Sequence, residues 1–351
     1  MAGILSTVMI GALALVVVRY RYALFFSTYL LFIFSAIALS DVIMTVSIPL
    51  LLLSRNLFRK ITNKISNTGW PLFTLAFEVL GRNKLIFTGD DLLAAQKTDR
   101  NALVVLNHTY HCDWLLSFSL GERLGRIGNI KIAMKDVIKY IPFVGVGIWA
   151  MGFIFLSRRW QDDQKKINKA FSHLKQDGEP FWFVTHPEGS RLSPKSLAEC
   201  QRFARERGNV PLLENILLPR LKGFVSSVVA LRDETDAIYD MTAAYAKPPG
   251  GFIQMLYGNH PSQIHIHLRR FDMAKLPKDE AEVGTWLYNL YKEKDDLLKH
   301  FKTHGHFPGA QLTHMMEYRA SKYILNMVMW SVAVAMFMYS SVQLYYWSFG
   351  L

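Results

Sequence analysis

Apolar and polar positions divide the chain into a middle of mixed character and two ends that carry almost no charge. Residues 1–54 contain only Arg19, Arg21 and Asp41 as charged side chains, and residues 323–351 contain no Asp, Glu, Lys or Arg. A bilayer core of about 30 Å needs roughly 20 apolar residues in a helix. The segment YILNMVMWSVAVAMFMYSSVQLYYW satisfies this, and its Trp and Tyr residues suit the interface with water. On the N-terminal side a short run over residues 4–18 and a longer one over 22–53 flank the interruption RYRY, a pattern open to one spanning helix or two. No basic residue precedes the first run and no small-residue cleavage site follows it, so it reads as a retained membrane segment.

Between these ends the periodicity changes. Residues 55–84 begin FRKITNKI and WPLFTLAFEVLG with apolar positions at helical spacing, which predicts a basic amphipathic helix lying along the bilayer surface. Short apolar or alternating runs follow at KLIFTG, ALVVL, KIAMK, PFWFVT, AIYDMTAAY and QIHIHLRRF, each predicting a strand. VPLLENILLPRLKGFVSSVVALR also reads as strand-like. QDDQKKINKAFSHLKQDG, SPKSLAECQRFARERG and the charged stretch from Glu280 to about Phe301 read as helices between them. Strands alternating with helices predict an α/β domain with a mixed, largely parallel sheet flanked by helices. The expected organisation is 1–54 as membrane segment or segments, 55–320 as the α/β domain with its amphipathic lead-in, and 321–351 as a C-terminal transmembrane helix.

Charge narrows the partners. The chain has 40 Lys and Arg against 28 Asp and Glu, and setting aside Arg19, Arg21 and Asp41 leaves a net +11 on the middle stretch. A basic surface meets nucleic acid or anionic lipid and phosphorylated ligands. Membrane segments on both sides select the second, with no nucleic acid. Arg55, Arg59, Lys60 and Lys64 after the first apolar block, and Arg319 and Lys322 before the last, place both junctions and the domain on the cytosolic side. Cys112 and Cys200 make no disulfide framework.

Two polar segments follow predicted strands directly, where α/β domains gather reactive groups. The first is NHTYHCD, with Asn107, His108, Tyr110, His111 and Asp113. On an ideal helix a five-residue step separates His108 from Asp113 by about 140°, so only a turn or the start of a helix brings them together. An Asp bonded to one imidazole nitrogen fixes the tautomer and leaves the other nitrogen to take a proton from an alcohol. The plainer reading is a polar loop capping a helix. A metal site of His108, His111 and Asp113 has thin spacing and lacks a fourth ligand. The second segment is THPEGSR, in which Gly189 lets the backbone turn and Arg191 offers a planar fork to phosphate or carboxylate. His186 reads as a loop or packing residue.

Together the two segments resemble the glycerolipid acyltransferases. NHTYHCD matches their Asn-His-x4-Asp signature, and PEGSR, with Glu188 lying 75 residues after Asp113, is similar to their Pro-Glu-Gly-Thr-Arg block. GFIFLSRRW, LLPRLKGF and AIYDMT are similar to further blocks, and the likeness is closest to the 1-acylglycerol-3-phosphate acyltransferases. The resemblance implies a glycerolipid acyltransferase-like domain and an acyl-CoA-dependent reaction needing no cofactor and no metal. His108 would be the general base and Asp113 its orienter. Glu188, Gly189, Ser190 and Arg191 would form the substrate block, Arg191 meeting the lysophospholipid phosphate, with Arg158, Lys222 and Arg220 as further phosphate contacts. Ser190 stands where Thr is usual, which keeps the hydroxyl and loosens the loop. Backbone donors near residues 107–114 would hold the oxyanion, and residues 71–80 and 141–156 would line an acyl channel. Endoplasmic reticulum is the family's usual membrane. The rivals are acylation of lysophosphatidylinositol or lysocardiolipin, a metal-dependent lipid hydrolase, and a non-catalytic lipid-binding membrane protein.

Overall fold

The structure is a computed structural model that describes the backbone of residues 2–349 except 96–97, 158, 259–260 and 317–319. In chain order the first elements are α1 (Ala2–Ser47), α2 (Arg55–Leu75), β1 (Lys84–Gly89), α3 (Leu92–Ala95), β2 (Ala102–Leu106), α4 (Trp114–Arg123), β3 (Ile130–Lys135), α5 (Gly145–Ala150) and β4 (Ile154–Leu156). There follow α6 (Trp160–Asp177), β5 (Trp182–Thr185), α7 (Pro194–Arg207), α8 (Leu221–Leu231), β6 (Ala237–Tyr245), α9 (Phe252–Tyr257), β7 (Gln263–Asp272), α10 (Glu280–His304) and α11 (Ala320–Phe349). Short 3-10 turns occur between several of them.

The strands form one sheet in the order β1-β7-β6-β2-β5-β3-β4. Every neighbouring pair is parallel except β6 with β7, as the sequence pattern predicts. All five residues of β2 are buried, which is why ALVVL is continuously apolar rather than alternating: a central parallel strand is covered on both faces. Ala102, Val104 and Leu106 face a layer that contains α1, α2 and α4, whereas Leu103 and Val105 face α6, α8 and α10.

The segment read as strand-like after Val210 is not a strand. Pro211 and Pro219 lie in a stretch without regular structure, and Leu221–Leu231 is the helix α8. Proline removes ladder donors, and Phe224, Val225, Val228 and Leu231 recur at three- and four-residue steps that bury one helical face.

The lead-in helix α2 also departs from expectation. Its polar positions divide: Lys60, Lys64 and Asn67 are exposed, whereas Arg59, Thr62, Asn63 and Ser66 are buried. Arg59 Nε donates to Asp177 Oδ2 at 2.6 Å, Arg55 reaches the same carboxylate at 3.1 Å, and Lys131 Nζ donates to Asn63 Oδ1 at 2.9 Å. Burial of Lys131 beside Arg59 pulls its ammonium down to about 7. Two of the basic residues expected at the membrane junction are thus internal partners of the domain.

On the N-terminal side α1 is a single helix of 46 residues rather than two. Ala23–Leu52 and Tyr323–Ser348 are long and apolar enough to cross a bilayer. They differ in environment: 39 % of the first is buried against the protein and 11 % of the second. The buried part of α1 includes Asp41, whose Oδ1 accepts the Gly147 N–H at 2.5 Å at the start of α5.

Candidate active site

The chain leaves β2 at Asn107, whose side chain ties the exit to the neighbouring strand: its Oδ1 accepts Ala243 N–H at 2.7 Å and its Nδ2 donates to Ala243 O at 3.0 Å. His108 follows, and one turn brings Asp113 back to the start of α4. Asp113 Oδ2 accepts His108 Nδ1 at 3.0 Å, Thr109 N–H at 2.6 Å and Tyr110 N–H at 2.8 Å, and Oδ1 accepts the Tyr245 hydroxyl at 2.6 Å. A carboxylate with no proton of its own requires Nδ1 to carry the hydrogen, which leaves a lone pair on His108 Nε2. The carboxylate is fully buried, while the His108 side chain keeps 23 % exposure. An Asp113 engaged by four donors suits an orienter better than a metal ligand.

The second segment docks onto this turn. Glu188 Oε1 accepts His108 N–H at 2.9 Å, and Leu192 N–H donates to His108 O at 2.8 Å, so both backbone groups of His108 are held by the segment 188–192. Gly189 makes the turn at φ 67°, and a Cβ there would come within 3.0 Å of the Arg220 side chain. Arg220 N–H in turn donates to Pro187 O at 2.7 Å. Glu188 is buried, and desolvation raises its carboxyl well above the ordinary range, against the opposing pull of the His108 N–H and Lys294. The His186 ring lies 4.6 Å from the His108 ring, tilted at 50° to it, and burial together with His108 pulls its imidazole down to about 3. His186 is therefore a neutral packing neighbour, as its sequence position suggests.

A cavity of about 1120 Å³ opens over the dyad. His108, Tyr110, His111, Ser190, Arg191 and Lys135 supply its polar lining. Its apolar wall includes Leu72, Phe73, Ile141, Phe143, Val144, Ile148, Met151 and Phe153, within the two stretches expected to line an acyl channel. Lys222 is exposed at the start of α8 beside Arg220 and is not part of this lining. Arg158 lies outside the described residues.

Three contributors were not singled out from the sequence. Lys135 ends β3 and Tyr245 ends β6, so both stand at C-terminal ends of strands, the position that pointed to His108. The third is α1, which lends Ile33, Phe34, Ile37 and Asp41 to the cavity wall. The oxyanion expectation narrows. Within residues 107–114 the amides of His108, Thr109 and Tyr110 already donate to Glu188 and Asp113.

Comparison with known proteins adds to the geometry. A family model described as acyltransferase matches residues 84–246, and one described as acyltransferase C-terminus matches 254–330. The human "1-acyl-sn-glycerol-3-phosphate acyltransferase delta" is 30 % identical over 312 residues, covering 88 % of this chain and 82 % of that protein. The chain belongs to the 1-acyl-sn-glycerol-3-phosphate acyltransferase family. The "Probable 1-acyl-sn-glycerol-3-phosphate acyltransferase 5" of Arabidopsis thaliana is 34 % identical over 257 residues. The chain aligns there through 73 % of its own length and spans 66 % of the plant protein. The crystal structure of the 1-acyl-sn-glycerophosphate acyltransferase PlsC from Thermotoga maritima superposes with a TM-score of 0.44 at 17 % identity, over 75 % of this chain and 95 % of that one. The acyltransferase match over residues 84–246 contains both polar segments, the His108–Asp113 turn and Pro187–Arg191.

Proposed function

We propose that this acyltransferase moves an acyl group from acyl-CoA to the sn-2 hydroxyl of 1-acylglycerol 3-phosphate, giving phosphatidic acid and CoA. The observation that carries the reading is the His108–Asp113 pair, whose Nδ1 contact turns Nε2 into the available base on a residue lining an apolar cavity that also receives Arg191 and Lys135. His108 takes the hydroxyl proton as that oxygen attacks the thioester carbonyl. The carbon–sulfur bond breaks, and the proton passes from His108 to the departing CoA thiolate. Asp113 supports the imidazolium while it exists, and no covalent acyl-enzyme is needed. Arg191 offers its fork to the acceptor phosphate, with Lys135 as a second cation on the same cavity and Arg220 packed against Gly189 behind the loop. Glu188 and Gly189 act by fixing the loop against His108, and Ser190 presents its hydroxyl to the cavity.

The family names favour lysophosphatidate over other lysolipids as acceptor. The division into membrane segments at 1–54 and 321–351 around the domain at 55–320 belongs to this reading, with the C-terminal half of α1 serving both. So does a cytosolic face for the domain, where acyl-CoA is found, at the endoplasmic reticulum. The test is incorporation of labelled acyl-CoA into lysophosphatidate by the purified full chain, with other lysolipids run alongside. Diacyl product from wild type and its loss in His108→Ala are expected. No product from wild type, or equal product from the variant, refutes the reading.

A further inference from the structure

The segment between β3 and β4 has a surface that the proposed reaction does not use. From Tyr140 to Ser157 it carries no charged side chain. Its inner side, with Ile141, Phe143 and Val144, lines the cavity. Its outer side faces away: Tyr140 is 73 % exposed, Val137 65 % and Trp149 47 %, and Val146 is exposed as well. Phe143 sits at φ 58°, a conformation that a bulky residue adopts only when its surroundings impose it, and its ring is nevertheless 65 % exposed. Large apolar side chains offered together to water mark a contact surface, and here the neighbouring elements say with what.

The segment is fastened to α1 through the Asp41–Gly147 hydrogen bond, and α1 runs on past it with Leu31, Phe34, Ile43 and Val46 exposed. The outer faces of α1 and of residues 137–149 therefore make one apolar surface. Tyr140 and Trp149 bracket the segment as interfacial aromatics do. At its base Lys139 pairs with Asp136 at 2.7 Å and lies 4.8 Å over the Tyr140 ring, keeping charge at the level of the headgroups.

We infer that the outer apolar side chains of residues 137–149, with Lys139 at the headgroup edge, are immersed in the acyl region of the same leaflet that α1 enters, so that a lysolipid reaches His108 sideways, between α1 and this segment. Both walls of that passage are already cavity walls, through Ile33, Phe34 and Ile37 on one side and Ile141, Phe143 and Val144 on the other. The occupant of the outer surface is lipid rather than protein because the surface continues that of a helix with bilayer-spanning length and composition. The inference rests on the membrane reading of α1 and does not depend on the reaction chemistry.

The test places the photo-crosslinker p-benzoylphenylalanine at position 140, whose side chain does not line the cavity, in the full chain in its own membrane. Position 203 serves as control, since Phe203 is also exposed but stands on α7 among Arg202, Arg205 and Arg207. Mass analysis after irradiation should find phospholipid adducts at 140 and none at 203. Absence of lipid adducts at 140, protein adducts in their place, or equal lipid capture at 203 overturns the inference. Capture requires no turnover, so a chain active with labelled acyl-CoA but free of adducts refutes this inference alone. A second measurement uses Val137→Asp with Tyr140→Asp, two side chains outside the cavity. Activity on lysolipid held in bilayer vesicles should fall about tenfold, while activity on a short-chain lysolipid in solution stays unchanged. An equal fall on both substrates counts against leaflet immersion.

Discussion

Replacing Asp113 by Asn separates the charge of the orienting group from its shape. The amide can keep its oxygen where Oδ2 now accepts from His108, Thr109 and Tyr110, and turn its NH2 toward the Tyr245 oxygen, which is able to accept. All four contacts survive, so stability should change by no more than about 1 kcal/mol. What disappears is the negative charge beside an imidazole that becomes positive during the reaction. At a separation of about 4 Å and an effective dielectric near 20 that attraction is about 4 kcal/mol. Part of it is lost to solvent, because His108 keeps 23 % exposure. What remains corresponds to a fall in kcat of roughly 10²- to 10³-fold. Asp113 is fully buried and does not line the cavity, so KM for both substrates should hold. Initial rates with labelled acyl-CoA at varied lysophosphatidate, beside thermal melts, give all three quantities. A folded variant whose kcat stays within about threefold of wild type, or whose loss lies in KM, refutes the dyad argument.

Tyr245→Phe strips Asp113 of one donor in a buried setting and should cost about 1–3 kcal/mol of stability together with a several-fold loss of kcat, read by thermal melts and rates; unchanged melting would show that the bond carries nothing. Arg191→Ala should raise KM for lysophosphatidate about 10- to 100-fold and leave KM for acyl-CoA near wild type, with Arg191→Lys between, since an ammonium keeps the charge and loses the fork. Equal effects on the two substrates would remove Arg191 from the acceptor site. Glu188 and His186 should bend the stability curve in opposite directions. The raised carboxyl of Glu188 means that above about pH 4.5 the unfolded chain ionises while the native group stays protonated. Native protein then binds more protons, and stability falls as pH rises. Glu188→Gln, which keeps the acceptor for His108 N–H, should flatten that slope and match or exceed wild type near pH 8; a steeper slope would mean that Glu188 is ionised. With His186 down at about 3, the unfolded chain binds the extra proton below about pH 6.5, so stability falls as pH drops through that window, and His186→Phe should reduce the loss in acid-side melts.

The dyad, the Glu188 turn and the parallel sheet were legible in the sequence because their information is local. His108 and Asp113 lie in one turn, Gly189 marks its own bend, and ALVVL is apolar throughout because both faces of β2 are covered. Tyr245 was not legible for the opposite reason: it stands 132 residues from the carboxylate it serves, and nothing in AIYDMTAAY distinguishes a buried donor from a strand-end tyrosine. The same limit explains α2. Periodicity reports that polar and apolar positions alternate, not which polar ones find partners inside, and Arg59 and Asn63 turn inward with Phe58 because Asp177 and Lys131 await them from elements more than 60 residues away.

The long apolar helix α1 shows the sharper form of that limit. Hydropathy assigns every residue of Ala23–Leu52 to lipid, since an apolar side chain reads the same against lipid tails as against protein. Asp41 is the exception the pattern does contain, because a carboxylate in such a run has to find a donor or leave the bilayer core. It finds the Gly147 amide, and with it the segment that walls the cavity. That contact joins α1 to the cavity wall. Asp41→Leu makes the span still more apolar, and should raise KM for a long-chain lysolipid, with kcat close to wild type, because the wall is loosened while the dyad is untouched. Equal kinetics in the two proteins would mean that α1 anchors the domain and contributes nothing to the path of the substrate.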